Sequence, residues 1–84
     1  MSVQEFTFED LRNILVNRVG LPDDAVRDDP SLSFEDMGLD SLAFVEIQLA
    51  IQQEYGFTIP DEDAQDITTV GQAIEYSNRR LQEG

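Results

Sequence analysis

Few side chains of this protein are suited to covalent chemistry. Among the 84 residues there is no cysteine, no histidine and no lysine. These residue types supply most of the nucleophiles and general acids and bases of enzymes. The candidate that remains is Ser41, which follows Gly38-Leu39-Asp40 and opens an apolar helical pattern. We therefore expect no enzyme, and we expect Ser41 to act by carrying a group attached to its hydroxyl.

The first question about Ser41 is whether its hydroxyl is free. A serine at a helix start is most often an N-cap that accepts a hydrogen bond from the first turn. Asp40 can cap equally well, which would leave Ser41 at the first helical position. A phosphodiester there would face unpaired N–H groups and the positive end of the helix dipole. The position suits a phosphate-linked group, although the residues around it do not name that group.

Four segments have helical spacing of apolar residues, and no segment alternates as a strand does. The predicted helices run from about Thr7 to Val19, from Ser41 to Tyr55, from Asp61 to about Asp66 and from Val70 to Leu81. The long connection between the first two carries Leu32 and Phe34, which we interpret as anchors that keep it ordered. The sequence thus predicts an all-α four-helix bundle, three longer helices and a short third one, in a single domain over residues 1–84.

The second helix is apolar on two arcs. One arc holds Phe44, Ile47, Ile51 and Tyr55, and the other holds Leu42, Val45 and Leu49. A central helix buried on both sides would explain this pattern, but so small a bundle has few elements to cover both. We expect the bulkier arc to face the core. Leu42, Val45 and Leu49 would then form an exposed apolar row beside Glu46, as in a helix-in-groove contact.

The charge of the protein is strongly negative, at −13. From Asp28 to Asn78 there are twelve acidic residues and no basic one. Such a field repels nucleic acid and anionic membranes, so neither is an expected partner. The acidity either keeps a small protein soluble or steers it toward basic patches, and the long block without cations favours steering. With no apolar run long enough to span a membrane and no signal-peptide pattern, we expect a cytoplasmic monomer.

The residues around Ser41 resemble a known motif. The stretch Asp36-Met37-Gly38-Leu39-Asp40-Ser41-Leu42 is similar to the phosphopantetheine attachment motif of acyl carrier proteins. The similarity continues, in the order of that family, through Val45-Glu46-Ile47, Glu54-Tyr55-Gly56-Phe57, Ile59-Pro60-Asp61-Glu62-Asp63-Ala64 and Ile67-Thr68-Thr69-Val70. The resemblance implies that Ser41 carries 4′-phosphopantetheine, added from coenzyme A by a Mg²⁺-dependent phosphopantetheinyl transferase. The terminal thiol of that arm would hold acyl groups as thioesters.

The resemblance also implies roles for single positions. Asp40 and Leu42 flank the attachment serine, and the transferase would recognise Asp40. The expected contacts with partner enzymes are Leu42, Val45, Glu46 and Leu49 on the second helix and Asp61, Glu62, Asp63 and Ile67 on the short third helix. The acyl chain would either stay in solvent or lie between these helices, over Ile47, Ile51, Ile59, Ala64 and Ile67.

The pathway is predicted from finer similarities. The opening Phe6-Thr7-Phe8-Glu9-Asp10-Leu11-Arg12-Asn13-Ile14-Leu15 is similar to free-standing carriers of type II polyketide synthases. Gln48, Gln52 and Gln53 stand where fatty-acid carriers often have apolar or acidic residues. We favour a discrete polyketide carrier that serves a ketosynthase, an acyltransferase and other synthase enzymes. A fatty-acid synthase carrier is the alternative within the same family.

Two other protein classes fit parts of the sequence. An unmodified acidic helical adaptor would use the same surface and would not need Ser41. A calcium-binding module is suggested by Asp61, Asp63 and Asp66, but the twelve-residue calcium loop requires glycine at its sixth position and glutamate at its twelfth. Counted from Asp61, those positions hold Asp66 and Gln72. No metal site is therefore predicted.

Overall fold

The described part of the protein contains four α-helices. The computed structural model describes residues 5–83, so the N-terminal residues 1–4, which bear on the signal-peptide prediction, lie outside the described part. The helices are α1 (Phe8–Ile14), α2 (Ser41–Tyr55), α3 (Asp61–Ala64) and α4 (Val70–Glu83). Between α1 and α2 lies a short 3₁₀ turn, Asp23–Ala25. Within the described range the only β-type pairing is an isolated bridge between Ser33 and Thr69. The predicted all-α architecture with a short third helix is confirmed.

The helix starts follow from local capping. The Thr7 hydroxyl accepts a hydrogen bond from the Asp10 N–H at 3.3 Å, and the Asp10 carboxylate accepts one from the Thr7 N–H at 3.0 Å. At the start of α4, Thr69 and Gln72 make the same reciprocal pair, each bond 3.2 Å long. These pairs satisfy N–H groups that the first turn of a helix leaves unpaired. The sequence therefore fixes both starts locally.

The first helix departs from the prediction in its second half. The helical path reaches Val19, but Leu15–Val19 is a π-helical turn. The N–H groups of Gly20 and Leu21 both donate to the Leu15 carbonyl at 3.0 Å, so the helix widens before it stops. Gly20 then adopts the left-handed conformation, which ends the helix.

The later helix ends differ from the prediction by two residues. The short α3 stops at Ala64, because the N–H of Asp66 bonds three residues back, to Asp63, in a tighter turn. The last helix continues past Leu81 to Glu83. Arg80 is therefore in the final turn of α4, whereas Arg79 lies just before it. Helix ends are the part of an assignment that local sequence determines least.

The hydrophobic core draws on all the longer helices. Its most deeply buried apolar side chains are Phe6, Leu11, Ile14, Leu15, Ile47, Ala50, Ile51 and Val70. Phe6 packs edge-to-face on Tyr55 of α2, with ring centroids 5.1 Å apart. The Asn78 side chain of α4 holds the Phe6 main chain through two hydrogen bonds of 2.7 and 2.8 Å. The segment before α1 thereby ties α2 and α4 together.

The connection between α1 and α2 is fastened to the start of α4 by main-chain hydrogen bonds. The N–H groups of Gly71 and Val70 donate to the carbonyls of Pro30 and Leu32, both at 2.9 Å, and the Phe34 N–H donates to the Thr68 carbonyl at 3.0 Å. We call these three bonds the main-chain clamp. Leu32 and Phe34 are both buried, which confirms their role as anchors.

We predict that Gly71→Ala destabilises the protein although alanine favours helices. A Cβ at this position would lie 2.8 Å from the Pro30 Cβ and 2.9 Å from the Pro30 carbonyl oxygen. Overpacking of this kind costs about 1–3 kcal/mol, whereas alanine gains at most about 1 kcal/mol over glycine in a helix. Urea denaturation measures the difference. The control is Gln82→Ala, an exposed position on the same helix, which should change stability little.

Candidate functional site

Asp40, and not Ser41, caps α2. The Asp40 carboxylate accepts a hydrogen bond from the Ala43 N–H at 2.9 Å, and Ser41 is the first helical residue. Ser41 is exposed. Its hydroxyl is thus free of the capping role that a serine in this position usually has. The arrangement is the one expected from the sequence.

A tight turn delivers Asp40 to the helix start. Gly38 has a φ of +79°, a conformation that side-chain-bearing residues rarely adopt. The next residue, Leu39, donates its N–H to the Phe34 carbonyl at 3.0 Å. Since Phe34 belongs to the main-chain clamp, the clamp and the turn together set where α2 begins.

The two arcs of α2 separate as predicted. Ile47 and Ile51 are each 1% exposed, whereas Leu42, Val45 and Leu49 are 77%, 47% and 49% exposed. Glu46 is also exposed, beside this apolar row. Ala50 is fully buried and extends the core face. The apolar row therefore begins one residue after Ser41 and stays uncovered within the described part of the protein.

A groove of about 530 Å³ opens beside Ser41, between α2 and α3. Its size is in the range of about 300–1,000 Å³ typical of small-molecule sites. Its apolar lining consists of Phe34, Leu39, Phe44, Val45, Ala64 and Ile67. The polar and acidic side chains that also line it are Ser33, Glu35, Asp40, Ser41, Gln48, Asp61, Gln65 and Thr68. Of the residues expected under an acyl chain, Ala64 and Ile67 line this groove, whereas Ile47, Ile51 and Ile59 are buried and do not line it.

A smaller cavity of about 150 Å³ lies next to the groove. It is lined by Leu49, Gln52, Thr58 and Ile59 together with Val45 and Gln48. Val45 and Gln48 line both spaces, so their side chains form the wall between them. Gln48 is half-buried, and its Nε2 donates to the Ile59 carbonyl across a long 3.4 Å.

The acidic residues predicted on the third helix are all found there, and Ile67 is not. Asp61 and Glu62 are exposed, whereas Asp63 is half-buried and accepts a hydrogen bond from the Tyr76 hydroxyl at 2.6 Å. Ile67 lies three residues beyond α3 and is buried, because the chain turns inward after Ala64. Ile67 therefore lines the groove instead of extending an exposed contact row.

Sequence reasoning missed the side chains that hold α3 in place. Arg80 donates to the Tyr76 hydroxyl at 2.9 Å and to the Thr58 carbonyl at 3.0 Å, and its guanidinium lies over the Phe57 ring. Burial and the hydrogen bond to Asp63 raise the pKa of Tyr76, against the opposing effect of Arg80. The signal available was the Tyr76/Arg80 pair at i,i+4 spacing on α4, but its target on another element is not readable from the sequence.

The charged side chains near Ser41 are all acidic among the residues that the structure describes. Glu35, Asp36, Asp40 and Asp61 are exposed near it in the fold or sequence, and no basic residue occurs between Asp28 and Asn78. The α2 N-terminus is the favourable feature for an anionic group there. Among residues 5–83, no cluster of acidic side chains is placed to hold a metal ion. None of the helices in that range has the length and apolarity needed to cross a membrane.

Comparison with known proteins agrees with this site. Residues 9–77 match the family described as "Phosphopantetheine attachment site". The fold is similar to octanoyl acyl carrier protein from the actinorhodin polyketide synthase of Streptomyces coelicolor, with 35% sequence identity, a TM-score of 0.86 and 99% of each chain covered. The 3,5-dioxohexyl form of that carrier matches with 34% identity, a TM-score of 0.84 and the same coverage.

The chain belongs to the phosphopantetheine attachment site family and is an acyl carrier protein, most like those of type II polyketide synthases. Its prosthetic group is covalently attached 4′-phosphopantetheine, and it acts with synthase enzymes. Ser41 is exposed at a helix N-terminus, does not cap that helix and lies beside a groove with apolar lining. This arrangement fits a phosphate-linked arm with an acyl cargo.

We predict that Leu49→Ala and Ile47→Ala differ sharply in their effect on folding. Leu49 is half exposed, so its truncation should cost less than about 1 kcal/mol of unfolding free energy. Ile47 is buried in the core, and truncation of such a residue costs about 2–5 kcal/mol. Thermal and urea denaturation measure both. Equal losses would place Leu49 in the core and remove the exposed row.

Proposed function

We propose that this protein carries polyketide intermediates on an arm attached to Ser41 and delivers them to the enzymes of a discrete synthase. The observation that supports Ser41 most directly is the hydrogen bond from Ala43 to Asp40, which leaves the serine hydroxyl available. In the attachment step, Ser41 Oγ forms a phosphodiester with the pantetheine phosphate of coenzyme A. The bond broken is the anhydride to adenosine 3′,5′-bisphosphate, which leaves, and the hydroxyl proton passes to the transferase.

The protein's own residues then serve recognition. When bound, the arm supplies a terminal thiol that holds acyl groups as thioesters. The exposed apolar row and Glu46 supply a contact surface for partner enzymes, and Asp61 and Glu62 extend its acidic rim onto α3. Asp40 is the residue beside the serine that a phosphopantetheinyl transferase would recognise. No catalytic role is assigned to the chain, which lacks histidine, cysteine and lysine.

The polyketide assignment has two supports. Similarity to the actinorhodin carrier extends over 99% of both chains. The groove also combines apolar side chains with polar ones, among them Gln48, Gln65 and Thr68, which suits a partly oxygenated chain better than a saturated one. We further propose that the chain is a cytoplasmic monomer in which residues 1–84 form one domain, with a ketosynthase and an acyltransferase among its partners. A fatty-acid carrier is the second candidate.

The attachment site is tested by intact mass. After incubation with coenzyme A and a broad-specificity transferase, we expect the protein to gain the mass of one phosphopantetheine group and Ser41→Ala to gain none. The control is Ser31→Ala, which makes the same change at an exposed loop serine and should leave the gain intact. Circular dichroism checks that Ser41→Ala is folded. A gain that survives Ser41→Ala, or no gain in either protein, contradicts the proposal.

The contact surface is tested by charge reversal. Because Glu46 is exposed, Glu46→Lys should leave stability nearly unchanged, yet weaken docking to the ketosynthase of a discrete polyketide synthase by about three- to tenfold at low salt. Surface plasmon resonance measures the affinity of the loaded protein. The effect should shrink as salt rises, because screening removes exposed charge interactions.

Two comparisons make this test specific. Glu9→Lys makes the same change in charge on α1, where the side chain is also exposed. If both variants weaken binding equally, the effect comes from net charge and the surface is misplaced. If the unchanged protein binds a fatty-acid ketosynthase more tightly than the polyketide enzyme, the fatty-acid assignment replaces ours.

A further inference from the structure

Gln48 is the polar side chain that α2 presents to the groove farthest from Ser41. It lies seven residues, or about 10 Å, along the helix axis from Ser41. The groove that it lines also presents the apolar side chains of Phe44, Val45 and Ile67, and on the opposite side the polar Gln65 and Thr68. An amide in such surroundings loses hydration and gains from any polar partner it meets.

The hydrogen-bonding capacity of Gln48 is only partly used. A glutamine amide has two N–H donors and an acceptor oxygen. One N–H donates to the Ile59 carbonyl, and at 3.4 Å this bond is at the weak end of the range. In the part of the protein that the structure describes, the second N–H and the oxygen are assigned no protein partner. Gln48 therefore presents an N–H donor at the wall of the groove that is not committed to another protein group.

The same side chain limits the groove. Gln48 and Val45 separate the 530 Å³ groove from the 150 Å³ cavity lined by Leu49, Thr58 and Ile59. A chain that enters from the Ser41 side meets Gln48 before it could reach that second space. The residue thus sets the polarity of the groove at its boundary with the second space.

We propose that Gln48 is a specificity-determining residue, whose free N–H donates to a carbonyl oxygen of an enclosed acyl chain and so favours keto-bearing chains over saturated ones. The proposal rests on the function proposed above and adds the chemical class of cargo that the groove prefers. A saturated chain in the same place would leave the donor desolvated without an acceptor. A keto chain of equal length satisfies it.

The experiment compares two cargoes of equal length on the full chain. Hexyl and 3-oxohexyl thioethers of pantetheine, each with a ¹³C-labelled terminal methyl group, are attached through a transferase. A soluble gadolinium chelate relaxes the methyl protons of an exposed chain and spares an enclosed one. The measured quantity is the protection of the 3-oxohexyl methyl divided by that of the hexyl methyl. Mass spectrometry confirms loading in every sample.

Two variants at position 48 isolate the donor. Gln48→Leu has nearly the same volume and no polar atom, and Gln48→Glu keeps an acceptor but loses the N–H groups. Both should lower the protection ratio by about three- to tenfold, the change expected when one hydrogen bond is lost. Gln52→Leu is the matched control, because Gln52 is exposed one turn further along α2 and lines only the smaller cavity. Its ratio should stay within about twofold of the unchanged protein.

The outcomes separate this proposal from the proposed function. Loading without protection of either chain, or an equal change in Gln48→Leu and Gln52→Leu, overturns the role of Gln48 and leaves the carrier function standing. A drop in Gln48→Leu but not in Gln48→Glu overturns the donor and points to polarity alone. Failure to load Ser41 overturns the proposed function itself.

Discussion

The main-chain clamp between the first long loop and the start of α4 is the constraint on which the site depends. It joins Pro30, Leu32 and Phe34 to residues 68–71 with three hydrogen bonds, so two segments far apart in sequence are held in fixed register. The Phe34 carbonyl in turn accepts a hydrogen bond from the Leu39 N–H. Phe34 also lines the groove, together with its neighbours Ser33, Ile67 and Thr68. The clamp thereby places both the turn that leads into Ser41 and one end of the space beside it. The clamp requires glycine at position 71, because a side chain there would collide with Pro30.

Packing divides α2 into a buried side and an exposed side. Burial of Ile47 and Ile51 orients the helix, since burying each such side chain stabilises the fold by about 1.5–3 kcal/mol. The opposite apolar side chains are then left in solvent without a cost in core packing. Two arginines that lie outside the acidic block in sequence contact it in the fold. Arg18 contacts Gln53 and Glu54 at the C-terminal end of α2, and Arg80 contacts the loop before α3. None of the salt bridges found in residues 5–83 involves an acidic residue at the Ser41 end of α2.

The sequence predicted what local rules determine. The Asp40 cap and the exposed row of α2 depend on residues within about two turns of one helix, and the structure has both. What the sequence could not supply depends on contacts between distant elements. The π-helical turn before Gly20, the inward path of Ile67 and the exclusion of Ile47 and Ile51 from the groove are results of packing. So is the reach of Arg80 across to Thr58. Among the ten site positions carried over by resemblance, Ile67 is the one whose surroundings differ most from the expectation.

The polar attachment of α3 has a consequence for motion. This four-residue helix contributes no buried side chain, and its visible ties to α4 are the Tyr76–Asp63 hydrogen bond and the Arg80 contacts around it. Elements with little buried apolar area open locally at a small fraction of the global unfolding free energy. The α3 wall of the groove is therefore held mainly by polar contacts, whereas the α2 wall is fixed by buried side chains such as Ile47 and Ile51. Opening of the α3 wall would break only those few contacts, so its free-energy cost would be smaller than that of unfolding the bundle.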